Sequence, residues 1–189
     1  MTIRFATAGD APRLAAIYEP YVQDTAITFL YTPTSADAFA KKIAEHEGVL
    51  PFLVCETEGV VEGYAYASPW RYGDAYGWDV ELSVYVRMGM HGHGIGKALY
   101  GIVLRLLAIQ GYVNAYSGVT LPNEKSMALH NGFGFTQIGI FPGTGYKCGA
   151  WHDVIWLGKR INETTENPAA PVRLSGLEQE CIRAAFSAL

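Results

Sequence analysis

The chain is poor in charge, poor in cysteine and free of long apolar runs. Only 17% of its 189 residues are charged, against 50% hydrophobic. That balance excludes a disordered chain, which needs high charge and few apolar side chains. The formal net charge is -4, and Lys and Arg form no patch, which argues against a nucleic-acid partner. No apolar run approaches the roughly 20 residues needed to cross a bilayer, so no membrane association is expected. Cys55, Cys148 and Cys181 stand far apart with no C-x-x-C spacing. So sparse a set points to a reducing compartment rather than a disulfide framework or a structural zinc. Cys55, inside the apolar run PFLVC, reads as a small buried side chain. The stretch MTIRFATAGDAPRLAAIYEPY lacks the basic region, apolar core and cleavage site of a signal peptide. A cytoplasmic protein with one full-sized core is the expectation.

Residues 80–99, VELSVYVRMGMHGHGIGKAL, carry the strongest signal. They read as an apolar strand, a loop of glycine and histidine, and the start of a helix. A glycine loop at a helix N-terminus offers backbone N–H groups and the positive end of the helix dipole to an anion. Two nucleotide motifs are nevertheless missing. A dinucleotide fingerprint needs a third glycine where Lys97 stands. A Walker loop needs four residues before the Gly-Lys pair and then Ser or Thr. Here three residues separate Gly92 from Gly96-Lys97, and Ala98 follows. His91 and His93 find no third ligand at a persuasive spacing, so no metal is expected.

Periodicity and turn residues predict strands at 3–6, 52–56, 60–68, 78–87, 115–120, 135–141 and 152–159. Helices are predicted at 11–22, 36–47, 95–110 and 123–131. Thr7-Ala8-Gly9-Asp10 supplies the turn and cap before the first helix, Ser35 caps the second, and Gly111 ends the third. The strand-helix-strand unit in the middle favours a mixed α/β fold, with a mostly antiparallel sheet flanked by helices. Residues 162–174 read as a polar, proline-containing linker. Residues 175–189 read as one amphipathic helix with Leu177, Cys181, Ile182, Ala185 and Phe186 on a stripe. Whether it packs on the domain (1–161) or on a second subunit stays open.

Four blocks in order resemble the GCN5-related N-acetyltransferases, and within them the branch acting on phosphinothricin and methionine sulfone. They are AYASPWRYGDAYGWDVELSVY (65–85), the glycine loop, LPNEKSMALH (121–130) and GYKCGAWHDV (145–154). Gly94 and Gly96 match the family's pyrophosphate loop, whereas His91 stands where Arg or Gln is usual. The resemblance implies acetyl-CoA as co-substrate. Val84, Tyr85 and Val86 would meet the pantetheine along the strand edge, which is augmentation of a sheet by a ligand. The loop from His91 through Gly92, His93, Gly94, Ile95 and Gly96 to Lys97 would wrap the pyrophosphate. Asn123 and Ser126 would hold the pantetheine arm, and Asn123 also reads as a helix cap.

By the same resemblance Glu81 is the base. An α-amine with a pKa of about 8 is mostly protonated at pH 7 and must lose a proton before it attacks. His130 takes the place from which a proton reaches the departing thiolate, since an imidazole titrates near neutrality. Phe29, Trp70, Arg71, Tyr76, Lys147 and Trp151 would shape the acceptor pocket, with Arg71 meeting an anionic group. Phosphinothricin-detoxifying members carry a second basic residue two positions after Arg71; here Gly73 and then Asp74 follow. A less anionic amine is expected, such as methionine sulfone or sulfoximine. The resemblance also implies a homodimer. A non-catalytic acyl-CoA sensor, or an enzyme acting on a protein amine, remains the alternative.

Overall fold

The computed structural model describes residues 1–187. Seven strands form one sheet: β1 (Thr2–Phe5), β2 (Phe52–Thr57), β3 (Val60–Pro69), β4 (Asp79–Val86), β5 (Asn114–Thr120), β6 (Thr136–Lys147) and β7 (Ala150–Arg160). Their spatial order is β1-β2-β3-β4-β5-β7-β6. Every neighbouring pair is antiparallel except β4 and β5. The helices are α1 (Ala11–Asp24), α2 (Ala36–His46), α3 (Ile95–Gln110), α4 (Glu124–Gly132) and α5 (Gln179–Ser187). The expected mixed fold is the observed one.

Side chains alternate across the sheet, and the two faces carry separate cores. On one face α1 and α2 pack Leu14, Ile17, Tyr18, Phe39 and Ile43 against Val54 and Tyr64. On the other, α3 buries Leu99, Tyr100, Ile102, Val103, Leu106 and Leu107 against Leu53, Ala65 and Val80. A helix apolar nearly all round must be covered on most sides. β3 supplies the seat for its start at Gly63, where an added Cβ would stand 2.8 Å from Ile95 Cγ2 and 3.0 Å from the Tyr85 carbonyl.

The C-terminal segment packs on α3. Leu174 and Ala185 are buried in the α3 core. Arg105 Nε donates to the Ala185 carbonyl at 2.7 Å, and Phe186 meets Phe5 edge-on at 5.4 Å. The expected single helix over 175–189 is in fact a 3-10 turn, Leu174–Gly176, followed by α5. The last two residues of that expectation lie outside the described residues.

β6 runs past its predicted end at 141 to Lys147. Pro142 does not stop it, because β6 lies at the sheet edge and the register shifts between Phe141 and Gly145. An edge strand with a bulge loses little to a missing N–H.

Candidate active site

β4 and β5 pair only from Asp79–Asn114 to Glu81–Tyr116. Beyond that point a cleft of about 730 Å³ opens, with Leu82 to Val86 on one side and Ser117 to Thr120 on the other. Ser117 Oγ donates to the Leu82 carbonyl at 3.3 Å and meets the Tyr100 hydroxyl at 2.9 Å, marking the floor of the split. The unpaired strand edge is a row of peptide groups in need of partners.

At one end of the cleft stands the glycine loop. Gly92 and Gly94 hold φ of +84° and +79°, conformations costly for any side chain. Gly94 is the N-cap of α3, so the orphan N–H groups of a 16-residue helix open here. A Cβ on Gly96 would stand 3.7 Å from Val86 Cγ2 and 3.9 Å from Leu129, so its absence keeps that passage wide. Lys97 and Lys125 line the same end. The cradle suits a polyanion joined to a narrow chain.

His91 lines this end too and is tied to α1. The Tyr21 hydroxyl donates to the Val86 carbonyl at 2.5 Å and lies 2.8 Å from His91 Nε2. With its hydrogen spent on Val86, Tyr21 accepts from His91 Nε2–H. Burial and the charge of Lys125 hold the His91 imidazolium pKa below its ordinary value. His93 is exposed, donates from Nδ1 to the His91 carbonyl at 3.2 Å and does not line the cleft.

At the other end Glu81 is half-buried, and burial raises its carboxyl pKa while Arg71 opposes the shift. Trp70 lies 4.3 Å from Tyr116, the register partner of Glu81, with Tyr76 edge-on at 5.5 Å. The Arg71 guanidinium sits 4.6 Å over the Trp70 ring. Trp70, Arg71 and Tyr76 thus gather near Glu81 but outside the lining of the cleft, Arg71 and Tyr76 in a separate hollow beside it.

His130 is buried between Tyr100 and Phe135. Its Nδ1–H donates to the Ser126 carbonyl at 2.7 Å, one turn back in α4. Burial lowers its pKa, so the neutral ring keeps its lone pair on Nε2. Asn123 caps α4, accepting from Ser126 N–H at 3.2 Å. Asn123, Ser126 and His130 all line the cleft, as do Val84, Tyr85, Val86 and Ile95.

Phe29, Lys147 and Trp151 stand elsewhere. Phe29 lies on Gly145, where an added Cβ would meet its ring at 2.1 Å. Lys147 is buried and donates to the Thr28 carbonyl at 2.6 Å. Trp151 is 68% exposed and packs on Tyr146. None of the three lines the cleft. Sequence reasoning passed over Tyr21, Ile27, Gly118 and Thr120 as site residues, although all four line it. Tyr21 carries the helical spacing of a core residue, and nothing local marks its second role.

The chain is 37% identical over 152 residues to a phosphinothricin N-acetyltransferase of Streptomyces viridochromogenes, covering 80% of this chain and 83% of that one. It is 32% identical over 167 residues to an L-methionine sulfoximine/L-methionine sulfone acetyltransferase of Salmonella typhimurium, covering 86% and 96%. Among solved structures, a GNAT superfamily phosphinothricin acetyltransferase from Sinorhizobium meliloti in complex with AcCoA superposes with a TM-score of 0.86. That match has 32% identity and covers 93% of this chain and 97% of the other. Residues 3–156 match the family described as Acetyltransferase (GNAT) domain. A family match over most of the chain and relatives above 30% identity together show that the chain belongs to the GNAT acetyltransferase family.

Proposed function

We propose that the protein transfers an acetyl group from acetyl-CoA directly to the primary amine of a small amino-acid-like acceptor. The observation that carries this is the single cleft running from the glycine loop to Glu81. Gly92, Gly94 and the first turn of α3 would hold the pyrophosphate. Val84 and Val86 would pair with the pantetheine, and Asn123 and Ser126 would flank it.

In the reaction the amine nitrogen forms a bond to the acetyl carbon, and the carbon–sulfur bond breaks. Glu81 takes the amine proton; its raised pKa brings it closer to that of the amine. A strand N–H steadies the oxygen as charge builds on it. Neutral His130 holds a lone pair on Nε2, so it relays a proton to the leaving sulfur only after receiving one. The proton that the thiol carries away therefore enters with the amine. No cysteine lines the cleft among the described residues, in keeping with transfer without a covalent acetyl-enzyme.

Near Glu81, at the edge of the cleft, stands the cation Arg71, stacked on Trp70. Gly73 and Asp74 add no second one. This favours methionine sulfone or sulfoximine over the more anionic phosphinothricin, the compounds for which the relatives are named. The protein is read as a homodimer, supported by the exposed Ile138, Ile140 and Phe141 on edge strand β6. The sparse, unpaired spacing of the cysteines supports a cytoplasmic setting.

The test is thiol release from acetyl-CoA across a panel of amino acids, methionine sulfone, methionine sulfoximine and phosphinothricin. Release with at least one small amine is expected. Tight acetyl-CoA binding with no release for any amine would overturn the reading in favour of a sensor.

A further inference from the structure

Lys147 is buried on β6, yet among the described residues its ammonium finds a single hydrogen-bond partner, the Thr28 carbonyl at 2.6 Å. No carboxylate lies within ion-pair distance of it among the described residues. Burying a cation against one neutral acceptor is costly, and burial pushes this ammonium pKa down. Plain packing at this position calls for no charge.

What the bond joins is specific. Thr28 belongs to the loop between α1 and α2, and Lys147 ends β6. Three further contacts tie the loop to the hairpin of β6 and β7. The Tyr31 hydroxyl donates to the Tyr146 carbonyl. The Phe29 ring lies directly on Gly145. Phe29 also faces His152 at 6.5 Å, and His152 Nε2–H donates to the Lys147 carbonyl at 2.9 Å. From this latch the loop leads back to Ile27, which lines the cleft. Its root is held on α1 by Thr25, whose hydroxyl donates to the Tyr21 carbonyl at 2.7 Å, while Tyr18 holds Thr28 itself, hydroxyl to Thr28 Oγ1 at 2.6 Å. The loop thus has a fixed root on α1 and one buried charged clasp on β6.

We propose that Lys147 is a positioning residue, latching the α1–α2 loop onto the β6–β7 hairpin so that Ile27 walls the acceptor end of the cleft, with Phe29 packed outside it on Gly145. It acts through the Thr28 carbonyl and does not touch the acceptor. The inference rests on the proposed acetyl transfer for the meaning of that end; the latch itself is independent of it.

The test compares wild type, Lys147→Met and Tyr31→Phe. Methionine keeps the buried stem and removes the donor; Tyr31 is exposed, so its change leaves the core intact. Hydrogen exchange of the free enzyme is read over residues 25–34 and over α3. Exchange in 25–34 is expected to quicken about tenfold in Lys147→Met, and less in Tyr31→Phe, with α3 unchanged. Steady-state kinetics are read with an amino-acid acceptor and with its amide. The acceptor KM is expected to rise about tenfold for both, with kcat and the acetyl-CoA KM within about twofold. Unchanged exchange in 25–34 in both variants overturns the latch. A KM rise confined to the carboxylate acceptor makes Lys147 a direct ligand and overturns the positioning role. If wild type releases no thiol, the proposed reaction fails while the exchange result still decides the latch.

Discussion

The Tyr21 hydroxyl bridges the end of β4 and the glycine loop, donating to the Val86 carbonyl at 2.5 Å and accepting from His91 Nε2 at 2.8 Å. One hydroxyl hydrogen therefore sets the tautomer of a histidine on another element. With Nε2 committed, Nδ1 is the nitrogen left unbonded, and it is unprotonated in the neutral ring.

This arrangement predicts proton-linked binding of acetyl-CoA. An anion beside Nδ1 favours the protonated ring, so the pKa of His91 is higher in the complex than in the free enzyme, where burial and Lys125 depress it. The titratable groups around it are Tyr21 from α1, Lys97 from α3 and Lys125 from α4. The gain in affinity is full below the free-enzyme pKa and is lost as pH rises through the higher pKa of the complex. Calorimetry in two buffers of different ionisation heat should show proton uptake between the lowered pKa of the free enzyme and the higher pKa of the complex. His91→Gln should abolish the uptake, and equal heats in both buffers for wild type would refute the linkage.

Glu81→Gln should lower kcat/KM for the amine by about 10²- to 10⁴-fold, the usual contribution of a positioned base. Acetyl-CoA affinity should stay within about twofold, since in the proposed reaction the lost group serves the amine. Wild-type rates should rise with pH through the elevated pKa of Glu81, and the variant should lack that limb. Unchanged turnover from pH 7 to 9 would remove Glu81 from the role of base.

Gly145→Ala places a methyl 2.1 Å from the Phe29 ring, a contact that cannot persist. The ring must leave, at about 1–3 kcal/mol of stability for overpacking. Thermal denaturation should report the loss, and the acceptor KM should rise. The double variant with Phe29→Ala should recover most of the stability, because the clash has one partner.

Asp10 is buried and accepts from the two terminal guanidinium nitrogens of Arg4 at 2.8 Å, from the Thr7 N–H at 2.8 Å and from the Thr7 hydroxyl at 2.9 Å. The Arg4 hydrogen bonds outweigh burial and hold its carboxyl below the ordinary value. Its stabilisation is present above the unfolded carboxylate pKa of about 3.9 and is lost as pH falls through the lower folded value. Asp10→Asn should cost about 1–3 kcal/mol at pH 7, toward the lower end because Arg4 is partly exposed. Urea unfolding should show the gap to wild type narrowing as pH drops toward that range.

Much of the molecule was legible in the chain because its signals are local. The period of residues 95–110 and the glycines on either side mark α3 from Ile95 to Gln110. Alternation and turn glycines mark the β2–β3 hairpin. The extent of β6 was not legible, since Pro142 and Gly143 normally end a strand and only its edge position spares it. The acceptor residues were read less fully than the cofactor loop. Trp70 and Arg71 stand near Glu81, but nothing local separates them from Lys147, whose side chain turns to Thr28.

By itself the sequence determined the fold class, the glycine loop and the carboxylate at the head of its strand, for each is written in spacing along one segment. Tertiary structure alone decided where β4 and β5 part, which hydroxyl holds His91, and which way Lys147 faces. Those depend on residues 35 to 119 positions apart, whose meeting is set by how helices and strands pack and not by any local preference.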